Sequence, residues 1–558
     1  MLLRHRIALP IAILSLAFLA ACGGSSNKST PPPTGGFSDS NLSGAYVFSF
    51  AGTDYSDSGS TGTTSFFAVT GELTANGSGG LSGTIDVVDP ELGVALNTSY
   101  VQTGLSATGH YSITSDGRGS GSLSFTINGT KVTFGIDFVM TSSSHGLITR
   151  FDGNGTGSGT IDAQASGVAQ SSLQGSYAFG LSGVDSSVSN LLGTVGSFTL
   201  DSGGNITSGL QDFNDAGNST NLQALALTGS VDIGTAPGTA VLSTGVAGFP
   251  SLTFDVWVID ATHLKLIETD GVAYVAGDAY VSTGQSFPSG TLVYTMSGED
   301  TSPGPVAMGG LLTSNGTSQI TGGLEDVNDS GTVVQAPSIN GGISTSAGRT
   351  VLSLNGIYNG DIVNNTLVTS TYSFAAYPFT YGGGGVGVVL LEIDNAGVTS
   401  GTAYLQSSTS VAASQGYGLN LSGVNTNGEV DMIAEFTSTS ANLTGLYDVN
   451  NGGALLSDKY FGSSNNPGTY SSPSGGRGTG SVPLQTSGNN WVINQFNFTY
   501  YTVDSSTVAF IETDSTQLGT GTFQLQNASG TGGAAFALPK FSMVQPARSA
   551  AKKRAFKR

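Results

Sequence analysis

Cysteine is all but missing from this 558-residue chain, which carries one, at position 22. A single thiol forms no internal disulfide, so no covalent staple holds the fold even in an oxidising compartment. Charge is scarce too, at 10% of residues, and positive charge is the scarcer sign. All 37 acidic residues lie between Thr34 and Lys540, against only Arg118, Lys131, Arg150, Lys265, Arg349, Lys459 and Arg477. A body this acidic repels nucleic acid, which excludes that class of partner. Histidine is confined to His5, His110, His145 and His263. Scattered and without thiols beside them, these do not spell a zinc site. Helical periodicity is absent after residue 22, and each of the 84 glycines would cost a helix about 1 kcal/mol relative to alanine. Without helices there is no strand-to-helix elbow to present a nucleophilic serine.

What is present is a hydrophobic fraction of 38% with regular Tyr, Phe and Val, which at low charge indicates folded β structure rather than disorder. It is organised as an internal repeat. Leu42-Ser43-Gly44-Ala45-Tyr46-Val47-Phe48 leads to Gly52 and Asp54, and Leu173-Gln174-Gly175-Ser176-Tyr177-Ala178-Phe179 leads at the same spacing to Gly183 and Asp185. Related openings precede Gly298-Asp300 and Gly423-Asn425, so the unit recurs every 115 to 131 residues. A strand–turn–strand pattern follows, ending in Asp212-Phe213-Asn214, Asp326-Val327-Asn328 and Asp448-Val449-Asn450. Such Gly/Asn/Ser turns supply positive φ cheaply and read as hairpins.

The second copy resolves into eight strands, near 175–183, 193–201, 205–213, 222–233, 238–245, 251–259, 263–269 and 272–282, all with short connections. Alternation at period two implies one buried and one wet face. A meander of this length hides both edges by closing on itself. The fold class is therefore all-β: four tandem antiparallel meander units, as a string of eight-stranded up-and-down barrels each burying its own core. The alternative is a set of immunoglobulin-like sandwiches, whose Cys-Trp-Cys pattern is absent. The Gly-x-Tyr openings at Gly44/Tyr46 and Gly175/Tyr177 resemble the first strand of lipocalin- and avidin-type barrels, which implies shape alone.

Arg4, His5 and Arg6, the apolar run Ile7–Phe18, and Leu19-Ala20-Ala21-Cys22 together resemble a bacterial lipoprotein signal with its lipobox. That resemblance implies acylation of Cys22 and a membrane anchored through lipid. Gly23 and Gly24, with no aspartate after the cysteine, favour the outer membrane of a bacterial cell envelope. The whole chain also resembles a group of bacterial lipoproteins with tandem Leu-x-Gly-x-Tyr-x-Phe units, a likeness that brings no catalytic residues. We divide the chain into a signal over 1–22, a Pro/Gly-rich tether over 23–40, β repeats over 41–168, 169–285, 286–408 and 409–528, and a linker with a basic tail over 529–558. The tail, from Lys540 to Arg558, reads as solvated, or as docking on an anionic envelope polymer or on the acidic body.

Candidates for chemistry are few. Asp212, Asn214 and Asp215, and Asp326, Asn328 and Asp329, gather oxygens near a turn, as Asp448 and Asn450 do, and are the only calcium candidates. They lack the EF-hand order, and a plain turn uses the same residues, so we expect no metal and no cofactor. His145 and His263 sit at equivalent late hairpins and read as solvated turn residues. Glu268, Glu392 and Glu512 lie two residues before Asp270, Asp394 and Asp514, which suggests glycosidase carboxylates but reads better as solvated strand ends. Arg118, Arg349 and Arg477 each follow a glycine at an equivalent turn, and we expect each to pin the rim of its own barrel. Trp257, Trp491, Tyr500 and Tyr501 read as core, with a sugar or lipid cavity as the alternative. The expected function is non-catalytic: multivalent contact with surface polysaccharide, adhesion or spacing. The alternatives are carriage of a small apolar ligand inside the barrels and a glycan-active enzyme.

Overall fold

The computed structural model describes residues 36–529 apart from 56–64, 189, 217, 283, 285, 301–303, 357–361, 364–365, 368–369, 440–441 and 487–490. Of 362–363, 366–367, 383 and 491–494 the backbone alone is described. The signal, Cys22, most of the tether and the basic tail lie outside the described residues.

Four antiparallel barrels follow one another. Barrel I takes Ser43–Asp54, Ser65–Asn76, Gly80–Val88, Val101–Ile113, Arg118–Ile127, Thr130–Met140, His145–Asp152 and Gly155–Ala163 in order, and the last strand closes on the first. Its hairpins form where the turn chemistry predicts: Asn76 Oδ1 accepts from the backbone N–H of Ser78 and of Gly80, and Gly77 and Gly79 take the positive φ that the turn needs. A short helix, Pro90–Leu96, interrupts the route from third to fourth strand and is capped by Asp89, which accepts from Leu92 N.

Barrel II runs over 175–282, barrel III over 289–405 and barrel IV over 416–525. In barrel II the fourth strand is broken into Leu225–Ala226 and Thr228–Asp232, and an isolated Asn205–Ser230 bridge spans the remaining gap. Barrel III closes through pairing of Pro305–Asn315 with Gln319–Asp329, and barrel IV through Gly428–Thr439 with Asn442–Asn451. The eight-stranded plan holds in each, and no sandwich forms.

Each barrel has a filled interior. Phe48, Phe50, Phe67, Leu123 and Phe134 pack inside barrel I. Tyr417, Phe436, Phe461, Phe498, Phe510 and Phe523 pack inside barrel IV, many as edge-to-face or tilted pairs. Glycines let these rings lie flat against the sheet, as where a Cβ on Gly480 would stand 2.2 Å from the Phe498 ring.

The barrels are not beads on a string. A further apolar cluster lies between them and takes Phe66 and Val88 from barrel I, Val184, Ile267 and Tyr274 from barrel II, Tyr377 and Leu391 from barrel III, and Tyr501 and Val503 from barrel IV. Smaller clusters join I to II (Val47, Trp257, Ile259), III to IV (Ala307, Val424, Leu518) and IV back to I (Val139, Leu147, Ile433). The contacts therefore close a cycle. Each barrel keeps a core of its own, as expected, and the cluster between barrels is added to these four. That added burial corrects the one-face-wet reading. Strands such as Gly416–Asn425 and Leu191–Leu200 are buried on both faces, because one lines a barrel and the other meets a neighbour. Strands far from a neighbour, such as Val101–Ile113 and Asn340–Ser346, keep an exposed, hydroxyl-rich face.

Candidate functional site

The polar residues singled out in the sequence converge on the joints between barrels, and they do so by one repeated rule. The third strand of a barrel carries an aspartate and, two residues on, an asparagine; because side chains two apart share a face, both point at the next barrel. At the II–III joint, Arg349 Nε donates to Asp212 Oδ1 and Oδ2, both at 2.9 Å, and the Tyr377 hydroxyl donates to Asp212 Oδ2. At III–IV, Arg477 Nε and Nη2 donate to Asp326 at 2.7 and 2.6 Å, joined by Tyr501 at 2.6 Å. At IV–I, Arg118 Nη1 donates to Asp448 Oδ2 at 2.9 Å. The arginines thus all meet carboxylates of the preceding barrel, and Arg118 also bonds Asp116 of its own rim at 3.3 Å. The expectation that each pins its own rim holds for Arg118 and fails for Arg349 and Arg477.

The asparagines do the companion job. Asn214 Nδ2 donates to the carbonyls of Glu392 and Gly397, Asn328 Nδ2 to those of Glu512, Asp514 and Gln517, and Asn450 Nδ2 to those of Arg150, Asp152 and Gly155. Each set is the turn between the last two strands of the next barrel. Six of the eight calcium candidates, Asp212, Asn214, Asp326, Asn328, Asp448 and Asn450, are therefore engaged in joints, whereas Asp215 and Asp329 end their strands beside the turns. Among the described residues, no three His, Cys, Asp or Glu side chains converge to hold a metal ion.

A last element is common to all four joints. The residue closing each barrel bonds to a carbonyl of the following one: Gln164 to Val258, Ser282 to Pro378, Gln406 to Thr502 and Gln526 to Met140. The next backbone N–H continues it, from Ala165 to Ile259, Ser407 to Val503 and Asn527 to Thr141. The segment leaving barrel IV thus docks on barrel I as the other links dock on their successors. In three copies that glutamine ends a Gly-Thr-x-x-x-Gln sequence, at 159–164, 401–406 and 521–526. The signal was there, since a glutamine ending a strand in three copies calls for a hydrogen-bond partner.

The I–II joint is built differently. Asp86 occupies the place of Asp212, but Val88 stands where Asn214 does and Pro237 where Arg349 does, as strand register shows. Instead the indole Nε1 of Trp257 donates to Asp86 Oδ2 at 2.7 Å. Burial, with Asp255 nearby, pushes the Asp86 carboxyl up to about 7. Beside it lies a closed ionic cluster: Lys265 Nζ lies 3.1 Å from Asp278 and 3.9 Å from Asp162, His263 bonds Asp278 at 2.7 Å, and His145 bonds Asp162 at 2.6 Å. Burial alone would raise both carboxyls, but His145 and Lys265 hold Asp162 low, and Lys265 and His263 hold Asp278 low. His145 is 1% exposed and His263 6%, so these are buried hydrogen-bond partners of aspartates and not solvated turn residues.

The Glu-x-Asp pairs are corrected in the same way. Glu268 and Glu392 are fully buried and Glu512 nearly so. Burial, then Asp270, raises the Glu268 carboxyl to about 9, and burial beside Asp514 raises Glu512 strongly. Asp270, Asp394 and Asp514 accept the backbone N–H of Thr253, Ser373 and Asn497 on the adjoining strand. Barrel I carries Arg150 at the glutamate position, bonded to Asp54 at 2.6 Å and lying over the Phe67 and Phe134 rings. Trp257, Tyr500 and Tyr501 are buried; the side chain of Trp491 lies outside the described residues.

The fold and joints together define a closed cycle of four filled antiparallel barrels. No protein-family model and no curated protein matches the chain. Among solved structures, it is similar to a transferrin binding protein B variant from Haemophilus parasuis at 8% identity and a TM-score of 0.20, over 70% of this chain and 86% of that one. Intact Ap-TbpB, with N and C lobes, gives 11% identity and a TM-score of 0.17 over 70% and 86%. Kievitone hydratase from Nectria haematococca gives 12% identity and a TM-score of 0.16 over 44% and 93%. At these scores none of the three adds to the architecture described above.

Proposed function

We propose that this protein is a non-catalytic, lipid-anchored body of the bacterial cell envelope that makes multivalent contact with surface polysaccharide. One observation carries the reading: the candidate reactive groups, Glu268, Glu392, Glu512, His145 and His263, are all buried, and the two histidines are each bonded to a buried aspartate at the I–II joint. What faces outward on strands such as Asn340–Ser346 is Ser, Thr, Asn and Gly, a surface suited to sugar hydroxyls. Filled interiors argue against carriage of an apolar ligand. Because the barrels close a cycle, the spacing of their outer faces is fixed, and multivalent binding would avoid much of the ordering cost that flexible beads incur.

The test is surface plasmon resonance of the purified mature protein on immobilised neutral and acidic polysaccharides, with a reducing-sugar assay alongside. Retention on at least one polymer without release of reducing ends is the expected result. Release of sugar that Glu268→Gln or Glu512→Gln abolishes would overturn it, as would failure to bind any polymer. The anchor is tested separately: Cys22→Ser should move the protein from the membrane to the soluble fraction and end incorporation of labelled palmitate.

A further inference from the structure

In barrels III and IV the third strand turns straight into the fourth through two residues, Ser330-Gly331 and Gly452-Gly453. In barrel II nine residues, 216–224, fill the same place between Asp215 and Leu225. A connection longer than its counterparts in barrels III and IV is where function concentrates. Here it helps enclose a cavity of about 390 Å³ at the barrel mouth, together with the turn at Asp185 and the 244–250 loop. The floor is apolar: Phe249, stacked on Phe213 at 4.9 Å, with Leu222 and Val246. The wall holds Asp215 and Asp185, and the lining contains no lysine, arginine or histidine. Asp185 is already committed to Ser187 and Asn190. Asp215 is not: its Oδ1 is shut off from solvent without a hydrogen-bond partner.

The cavity is also preformed. Ser219 and Gln223 of the inserted loop bond the Ile393 carbonyl of barrel III at 2.6 and 2.8 Å, and Arg349 reaches Gln223. The II–III joint thus holds the loop open from behind.

We infer that this cavity binds a small organic ammonium ion, its charge against Asp215 and its apolar body on Phe249. Asp215 is only half-buried and its Oδ1 accepts no hydrogen bond, so the face it turns to the cavity favours a ligand that brings charge and donors at once. A bare divalent cation would need six or more oxygens around it, and among the described residues no three acidic, histidine or cysteine side chains converge to hold one. Burial, then Asp185, lifts the Asp215 carboxyl to about 6, so protonation below that pH would remove the charge that the ammonium meets. Asp185 is the one other ionisable group in the lining. The inference does not rest on polysaccharide binding, because no residue lining the cavity is among those offered for sugar contact.

The test is calorimetric titration of the full mature protein with phenethylamine, against 2-phenylethanol as the neutral counterpart and calcium chloride as competitor. The amine is expected to bind at least tenfold tighter than the alcohol at pH 8, to weaken about tenfold at pH 5, and to ignore calcium. Asp215→Asn, which removes an unpaired, half-buried charge and so does not threaten folding, should reduce amine binding to the level of the alcohol. Phe249→Ala should weaken both. Equal binding of amine and alcohol, displacement by calcium, an unchanged Asp215→Asn variant, or no binding of the amine would each overturn the inference.

Discussion

Three joints of this molecule are built alike and one is not, and the contrast shows which part of a repeated interface is fixed by geometry. At II–III, III–IV and IV–I an aspartate receives an arginine, and an asparagine two residues on holds the carbonyls of a turn. At I–II only the aspartate remains; an indole replaces the arginine, a valine replaces the asparagine, and the ionic cluster of Lys265 sits alongside. The glutamine–carbonyl link and its following N–H survive in both kinds. A joint therefore tolerates exchange of its charged partners provided the buried carboxylate is never left without a donor.

Removing Arg349 should break the contrast most severely. Arg349→Ala strands Asp212 in a fully buried site, and loss of one partner of a buried pair costs about 3–5 kcal/mol. Arg477→Ala should cost less, because the Arg477 side chain is 16% exposed and Arg349 only 2%. Denaturant midpoints of the two variants measure both effects, and adding Asp212→Ala to Arg349→Ala should recover part of the loss. Equal midpoints for the two single variants would contradict the burial argument.

The next effect is on pH dependence, and the two kinds of joint should differ in sign. At IV–I, burial beside Asp448 raises Asp137 to about 8, and burial beside Asp116 raises Glu435 to about 8. A carboxyl raised in the folded state contributes stability below its unfolded value near 4, and that contribution is lost as pH rises through about 8. The loss is at most about 1.4 kcal/mol per pH unit for each group. At I–II, Asp162 and Asp278 are lowered, so their contribution is present above about pH 4 and is lost as pH falls through their folded values. Thermal melts should therefore fall as pH rises from about 4 to about 8 and level off above it, and this alkaline fall should shrink in Asp137→Asn. They should fall again below pH 4, and Lys265→Met should shrink that acid limb, which the His145–Asp162 and His263–Asp278 contacts keep in part. An alkaline limb unaffected by Asp137→Asn would disprove the assignment.

Much of the single barrel was legible in the sequence, and almost none of the ring. Hairpin turns at Asn76 and strand limits in barrel II are local: they follow from turn chemistry and period two, so residues a few positions apart suffice to read them. The joints are not local, since Asp212 and Arg349 lie 137 positions apart and Asp448 and Arg118 lie 330 apart. The recurrence of both residue types was visible, but nothing in one copy says that its arginine answers the aspartate of another. The strands buried on both faces carried a readable hint, in apolar runs such as Val388–Leu391 that do not alternate. Solvated readings of Glu268 and His145 failed for the same reason: a strand end that is open in an isolated barrel is covered here by its neighbour.

The smallest effects separate the two joint types most finely. Asn450→Ala removes an amide donor that faces three carbonyls at 3.2, 3.0 and 2.7 Å, of which its two hydrogens satisfy two well. At about 1 kcal/mol for each lost bond, the cost should be about 2 kcal/mol. Trp257→Phe removes one donor from Asp86 and should cost about 1 kcal/mol, because a carboxyl already lifted to about 7 can take up a proton where the indole hydrogen was. The two variants diverge with pH for that reason. The Trp257→Phe deficit should grow between pH 6 and 8 as the unpaired carboxyl is forced to ionise, whereas the Asn450→Ala deficit should stay level, since no titrating group meets the Asn450 amide. His110→Ala, at an exposed site bonded only to Ser122, should move the midpoint by less than about 0.5 kcal/mol and sets the floor for both. A Trp257→Phe cost independent of pH would mean that Asp86 is ionised throughout and that the indole, like an arginine, answers a full charge.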